Sequence, residues 1–237
     1  MITKIIHYCW FGRKEKPEIV QKSINSWEKF FPDFEIMEWN ENNFDIHYNK
    51  YVEEAYQSGK FAFVSDVARF YALEKFGGLY FDTDVEVIKD FDLLLKDEAF
   101  AGFETDEYVA PGLVLWVKEK HNELMKQMLQ YYENLSFIKE DGSYNTTTIC
   151  IYFTEILKKY GLQGNNKKQK CGTFTIYPKE YFCPFNDQTG VLTKTENTYA
   201  IHWYSKTWME SNQKLRNKIT RILHRYFGTD CFRRFRK

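Results

Sequence analysis

Asp82 and Asp84 stand one residue apart inside the apolar run Leu79-Tyr80-Phe81-Asp82-Thr83-Asp84-Val85-Glu86-Val87-Ile88. A strand alternates its side chains between two faces, so this spacing predicts that both carboxylates point the same way. Held together, they repel and raise each other's pKa unless positive charge lies between them. A hard divalent cation, Mn²⁺ or Mg²⁺, relieves that repulsion; it binds one or two carboxylates and completes its shell with substrate phosphates and water. The plainer use of the same pair is a solvated strand end. Asp66 and Arg69 stand three apart, which puts them on one helix face, either as a surface ion pair or as part of the same site. Between the two motifs lies Phe76-Gly77-Gly78, whose glycines permit close approach of a ligand. A second dense cluster, Tyr199-Ala200-Ile201-His202-Trp203-Tyr204-Ser205-Lys206-Thr207-Trp208, offers an imidazole that can complete a metal shell and an indole that can close over a substrate.

These groups need elements to hold them. Lys4 to Trp10 reads as a buried first strand closed by Phe11-Gly12, and in an open α/β sheet ligands bind just past the carboxyl ends of strands. Trp10 would sit there, either stacked on a nucleobase or packed in the core. Pro17 opens an amphipathic helix through Ile19, Val20, Ile24 and Trp27. A second strand covers Phe34 to Trp39. Two helices follow between Tyr51 and Phe76, broken near Ser58-Gly59, the second with an inward stripe of Phe63, Val67, Phe70, Tyr71 and Leu73. Further strands are expected at Ala99 to Phe103, Pro111 to Val117 and Phe174 to Tyr177, a short helix at Phe91 to Leu95, and helices at His121 to Leu135 and Ile149 to Tyr160. The hydroxyl-rich Asn145-Thr146-Thr147-Thr148 either caps the last helix or hydrogen-bonds a sugar.

The chain has 237 residues with 33 basic and 33 acidic side chains. That balance is uneven, because Lys214 to Lys237 carries nine Lys or Arg against one acid, Asp230. An acidic body, residues 1–213, is therefore expected to carry a basic tail, 214–237. In the tail Leu215, Ile219, Ile222, Leu223, Tyr226 and Phe227 recur at helical spacing among basic residues. Such a helix suits an anionic membrane surface, and equally a helix packed on the body. Five cysteines without C-x-x-C spacing read as free thiols. The N-terminal stretch lacks a long apolar core and no run approaches the roughly 20 residues of a spanning helix, so a cytoplasmic location is expected. Nucleic-acid binding finds no reading motif here.

In order, Lys4-Ile5-Ile6-His7 to Trp10-Phe11-Gly12, Asp66-x-x-Arg69, Gly77-Gly78-x-Tyr80-x-Asp82-x-Asp84 and His202-Trp203-x-Ser205-x-x-Trp208 resemble glycosyltransferase family 32. More distantly they resemble the catalytic domains of the large glucosylating toxins. The resemblance is dense over Ile2 to Leu95, returns at Tyr177 to Trp208 and is thin between. It implies an A-type glycosyltransferase fold, a single α/β nucleotide-sugar-binding domain with a mixed, mostly parallel sheet flanked by helices. It implies a retaining hexosyltransferase that uses a UDP-sugar donor and a glycan or lipid-linked acceptor in surface or capsular polysaccharide synthesis. By matching motif, Asp84 would bind the metal directly, Asp82 would act through a water or on the sugar, and His202 would be the third protein ligand. Asp66 and Arg69 would hold the donor sugar and diphosphate, Trp10 the base, and Ser205 and Trp208 the leaving diphosphate. His7, Gly77, Gly78 and Tyr80 would complete the donor site.

Two other readings compete. A phosphatase-like fold uses Asp-x-Asp as nucleophile and acid, but on the first strand and with Thr or Val where Glu86 stands here. A binding module of the same fold would take up the donor without turning it over.

Overall fold

The structure is a computed structural model that describes residues 3–206, 220–226 and 228. Seven strands form the central sheet: β1 (Ile5–Cys9), β2 (Glu35–Trp39), β3 (Gly78–Tyr80), β5 (Ala99–Phe103), β6 (Val109–Val117), β7 (Gln169–Cys171) and β8 (Phe174–Tyr177). Their order is β2-β1-β3-β6-β5-β8-β7, and β1, β2, β3, β5 and β8 run in one direction while β6 and β7 oppose them. This is the mixed, mostly parallel sheet expected. The helices are α1 (Glu18–Phe30), α2 (Lys50–Gln57), α3 (Phe61–Phe76), α4 (Glu123–Glu133) and α5 (Ile149–Lys159). No helix among the described residues is long and apolar enough to cross a membrane. The four described cysteines are free thiols.

Strands β3, β5 and β6 are buried on both faces and apolar in both registers, which is why their sequences run without polar alternation, whereas the edge strands β2 and β7 carry Glu35, Glu38, Gln169 and Lys170. Ile6, Tyr8, Leu79, Phe81, Val114 and Trp116 enter one core with Trp27 of α1. Cys9, Tyr80, Leu115 and Val117 enter the other with α3, α4 and α5. Because α3 is enclosed by α2, α4 and β1, Val64, Ala68 and Ala72 are as buried as the expected stripe residues Val67, Phe70 and Leu73. Phe63 and Tyr71 are only partly buried.

The expected strand over Leu79 to Ile88 is two strands. The chain leaves the central sheet after Tyr80, turns with Val85 N donating to Asp82 O at 3.1 Å, and begins β4 (Val85–Val87), which pairs antiparallel with β11 (Ala200–His202). β4 lies against α1, where the Trp27 indole donates to Val85 O at 2.8 Å and the Val87 amide to Ser26 Oγ at 2.9 Å. Asp82 and Asp84 therefore do not alternate along one strand; they lie in the crossing between two sheets. A small hairpin, β9 (Phe185–Asn186) with β10 (Val191–Leu192), precedes β11. The basic tail lies mostly outside the described residues, as do Trp208, Leu215, Ile219 and Phe227. Within the helical segment 220–226, Arg225 donates to Thr189 O at 3.1 Å and to Gly190 O at 2.7 Å, so this part of the tail packs on the hairpin.

Candidate active site

Arg69 is 4% exposed, deep in α3, and its charge is met locally. One nitrogen, Nη2, binds Asp66 Oδ1 at 2.9 Å and Asp82 Oδ1 at 3.3 Å, and the guanidinium lies 4.7 Å from the Tyr80 ring centre. Nε donates to Ser65 O at 3.2 Å, whereas Nη1 is buried with no hydrogen-bond partner. The helix places Asp66 and Arg69 one turn apart; burial of that turn is what makes them a site and not a surface pair. Burial raises the Asp66 carboxyl to about 7, with Asp82 adding to the rise and Arg69 opposing it. Asp82 is raised as well, chiefly by burial, with Arg69 and His202 pulling the other way. Tyr80 is itself buried and gives its hydroxyl to Asp82 Oδ1 at 3.0 Å, so it positions Asp82 from beneath.

Asp84 faces a different set of partners. His202 Nε2 lies 3.1 Å from Oδ1, and the Ser205 amide donates to Oδ2 at 2.6 Å. The β4–β11 register sets Val85 opposite His202, which brings the imidazole to Asp84 at the strand's start. Burial alone would lift the Asp84 carboxyl; His202 and Ser205 outweigh it and hold it at about 2. Burial opposes the charge on His202, but Asp84 outweighs it and raises the imidazole well above its ordinary value.

The three expected metal ligands do not converge. Among the described residues no three His, Cys, Asp or Glu side chains form a cluster that could hold an ion, because Asp82 is drawn to Arg69 and Tyr80. Asp84 and His202 would suit a divalent cation once the imidazole gives up the proton it shares with Asp84: a carboxylate oxygen and an imidazole nitrogen 3.1 Å apart match neighbouring ligands on an octahedral ion with bonds of about 2.1 Å. Such ions take their remaining ligands from substrate phosphates and water.

Other expected donor contacts fall elsewhere. His7 is fully buried under the sheet, where Trp39 Nε1 donates to its Nδ1 at 3.1 Å and its Nε2 lies 2.8 Å from Gly77 O. An indole N–H can only donate, so Nδ1 accepts and Nε2 carries the proton to Gly77. Burial holds the ring neutral, with a pKa of about 4. Gly78 has φ +102°, and a Cβ there would lie 2.5 Å from Ile5 O, so this glycine serves the close pairing of β1 with β3 and not a ligand. His7, Gly77 and Gly78 thus build the sheet beneath the site. Trp10 follows Cys9, whose thiol lies near Arg69, Asp82 and Tyr80, and its indole N–H binds Lys14 O at 2.7 Å. It lines a polar cleft of about 280 Å³ with Arg13, Lys14, Lys16, Glu38, Asn40, Glu41 and Asn42. Trp10 is neither core nor free; it is the partly exposed wall of a ligand-sized space. Thr148 begins α5 without a side-chain cap bond, which leaves its hydroxyl exposed and disfavours the capping use.

Gly112 was not among the expected site residues. β6 pairs Ala110 with Gly102 and Leu115 with Ala101, so 111–114 bulge out of the ladder where Pro111 has no amide to offer. In that bulge Gly112 O accepts the Asp82 amide at 2.9 Å. A Cβ on Gly112 would lie 2.1 Å from Asp82 Oδ2 and 2.9 Å from Arg69 Nη1. The signal was available, since Pro-Gly inside an apolar run marks a bulge.

Residues 17–101 match the family described as glycosyltransferase sugar-binding region containing DXD motif. The PaToxG glycosyltransferase aligns over 67% of this chain and 69% of its own, at 18% identity and a TM-score of 0.50, and so shares the fold. A glycosyltransferase involved in the glycosylation of the major capsid of PBCV-1 aligns over 90% of this chain and 98% of its own, at 11% identity and a TM-score of 0.46. No curated protein sequence matches. Residues 17–101 thus resemble the DXD-containing sugar-binding region of glycosyltransferases, and the fold is the one shared with PaToxG. The phosphatase alternative falls with that fold.

Gly112→Ala should lower the Tm by about 5 °C, because its Cβ displaces the Asp82 carboxylate and crowds Arg69. Thermal unfolding would show it; an unchanged Tm would mean that Asp82 yields the space freely. The raised Asp66 carboxyl favours the fold fully below its unfolded value of 3.8, and that advantage is lost as pH climbs through about 7. Asp66→Asn escapes this loss, so between pH 5 and pH 8 its Tm should gain on the parent by roughly 5 °C. A constant difference across that range would place Asp66 among ordinary carboxylates.

Proposed function

We propose that the chain is a metal-dependent, retaining hexosyltransferase that uses a UDP-sugar donor and a glycan or lipid-linked oligosaccharide acceptor in surface or capsular polysaccharide synthesis. The observation that carries this reading is the division of labour between two adjacent carboxylates: Asp84 with His202, and Asp82 with Arg69 and Asp66. Asp84 and His202 would hold Mn²⁺ or Mg²⁺, which when bound supplies positive charge at the departing diphosphate. Arg69 stays cationic in its buried setting and has Nη1 free to meet a further anionic or hydroxyl oxygen. Asp66 and Asp82 offer acceptor oxygens for sugar hydroxyls. Trp10, partly exposed in the wall of the cleft, would stack on the base. Ser205, through its amide on Asp84, keeps the C-terminal segment across the metal side and limits water, which otherwise competes with the acceptor.

The tail completes the proposal. Its segment 220–226 turns Arg221 and Arg225 toward the hairpin, while Ile222 and Tyr226 are 57% and 76% exposed. An outward apolar pair within a strongly basic segment suits the inner face of an anionic membrane, where a lipid-linked acceptor would be met.

Screening nucleotide sugars for cation-dependent donor hydrolysis tests the central reading. Activity should vanish in excess chelator and return with Mn²⁺, and Asp84→Asn should lose at least about 100-fold while its Tm stays near the parent's. Full activity with chelator present would overturn metal dependence, and donor binding without turnover would favour the binding module. For the tail, replacing Arg233, Arg234 and Arg236 with Glu should abolish co-sedimentation with anionic vesicles and spare donor hydrolysis. Equal vesicle binding by the variant would refute the tether.

A further inference from the structure

Four consecutive residues after β11 are each held by a different acidic side chain. The Trp203 indole donates to Glu86 Oε2 at 2.8 Å, and the Tyr204 hydroxyl donates to Glu104 Oε1 at 2.9 Å. The Ser205 amide donates to Asp84 Oδ2 at 2.6 Å, and Lys206 Nζ donates to Asp187 Oδ2 at 2.7 Å. Within this short strap Tyr204 and Lys206 have φ of +49° and +48°, the left-handed region that side chains other than glycine seldom occupy. A backbone with two such residues flanking a third keeps its shape only where its surroundings over-determine it. Here carboxylates do that.

Asp84 belongs to the site, Glu86 lies in β4 two residues on, and Glu104 follows β5. Asp187 lies elsewhere. It sits in the β9–β10 hairpin, and a second cation meets it there, the Arg221 guanidinium of the tail segment. Arg221 also donates from Nε to Asp187 O at 2.8 Å, reaches Tyr204 O at 3.4 Å and lies 5.3 Å from the Phe185 ring centre. Asp187 therefore ties the strap and the tail segment to one turn, and its nearest catalytic consequence lies two bonds of the network away, at Ser205 on Asp84.

We propose that Asp187 is a positioning residue of the transfer site: by holding Lys206 and Arg221 it keeps the strained strap seated with Ser205 on Asp84 and His202. The inference rests on the proposed function for its catalytic meaning, but its structural claim stands apart from it. Loosening Asp187 frees Lys206 and lets Tyr204 and Lys206 relax out of the left-handed region. The Ser205 amide then leaves Asp84, donor affinity falls and water gains access.

Trypsin reads the strap directly, because Lys206 is a cleavage site whose ammonium is occupied. In a mass-resolved time course Asp187→Asn should raise the rate of cutting after Lys206 about tenfold, while cutting after the exposed Lys167 is unchanged. Asp187→Glu should restore slow cutting, and Arg221→Gln should speed it through the other half of the clamp. With the nucleotide sugar that the parent hydrolyses, Asp187→Asn should raise donor KM about fivefold and change kcat less, and it should raise hydrolysis relative to transfer. Equal cutting after Lys206 in parent, Asp187→Asn and Arg221→Gln overturns the proposal, as does faster cutting with donor KM unchanged. A parent that turns over no nucleotide sugar defeats the transferase reading alone, since the proteolysis comparison then still decides whether Asp187 seats the strap.

Discussion

A guanidinium set into the middle of an enclosed helix cannot stay charged unless negative groups come to it. Arg69 is such a group, and much of the site follows from meeting it. Asp66 arrives from one turn earlier in the same helix, Asp82 from the end of β3, and the Tyr80 ring from below. The bulge in β6 then becomes necessary, because a regular strand with a side chain at 112 would occupy the space of the Asp82 carboxylate. One buried charge thereby dictates a helix face, a strand end and an interruption in the neighbouring strand. Having Nη1 left over is what makes the arrangement more than structural.

Asp84 escapes that cluster because the chain changes sheets between the two aspartates. The two carboxylates still feel each other, since Asp82 is raised chiefly by burial with Asp84 adding to the rise, but Asp84 is held at about 2 by an imidazole and an amide. The crossing separates a group suited to hydrogen-bonding hydroxyls from a group suited to a hard cation. Tight pairing of β4 with β11 binds the second group to the C-terminal part of the chain, so the setting of Asp84 depends on residues more than 100 positions away.

That dependence explains the crowding of acids around 203–206. The segment 203–206 is only partly buried, so polar contacts at its edges hold it in place of core packing. Charged hydrogen bonds are strong enough to impose unfavourable dihedral angles and can be broken one at a time.

The sequence by itself determined the periodic elements, the Asp-x-Asp and Asp-x-x-Arg spacings, the imidazole near the C-terminal end and the uneven charge, because each of these is local. It also carried the resemblance that foresaw the fold. Tertiary structure alone decided what each group faces. The resemblance makes His7 a donor contact, yet burial beside Trp39 makes it a neutral joint in the sheet. Arg221 and Arg225 read as free tail charge, yet they donate to the hairpin. Leu79 to Ile88 reads as one strand, since neither half betrays its partner; only the competing claims of β6 and β11 divide it. Glu104 and Asp187 are silent in sequence, and Pro111-Gly112 announces a bulge without saying what it makes room for, because their meaning lies in partners distant along the chain: 30 and 43 positions from Gly112 to Asp82 and Arg69, 100 from Glu104 to Tyr204, 34 from Asp187 to Arg221. Spacing reports neighbours within a turn or a pleat, and contact across the core is set only when the whole chain has packed.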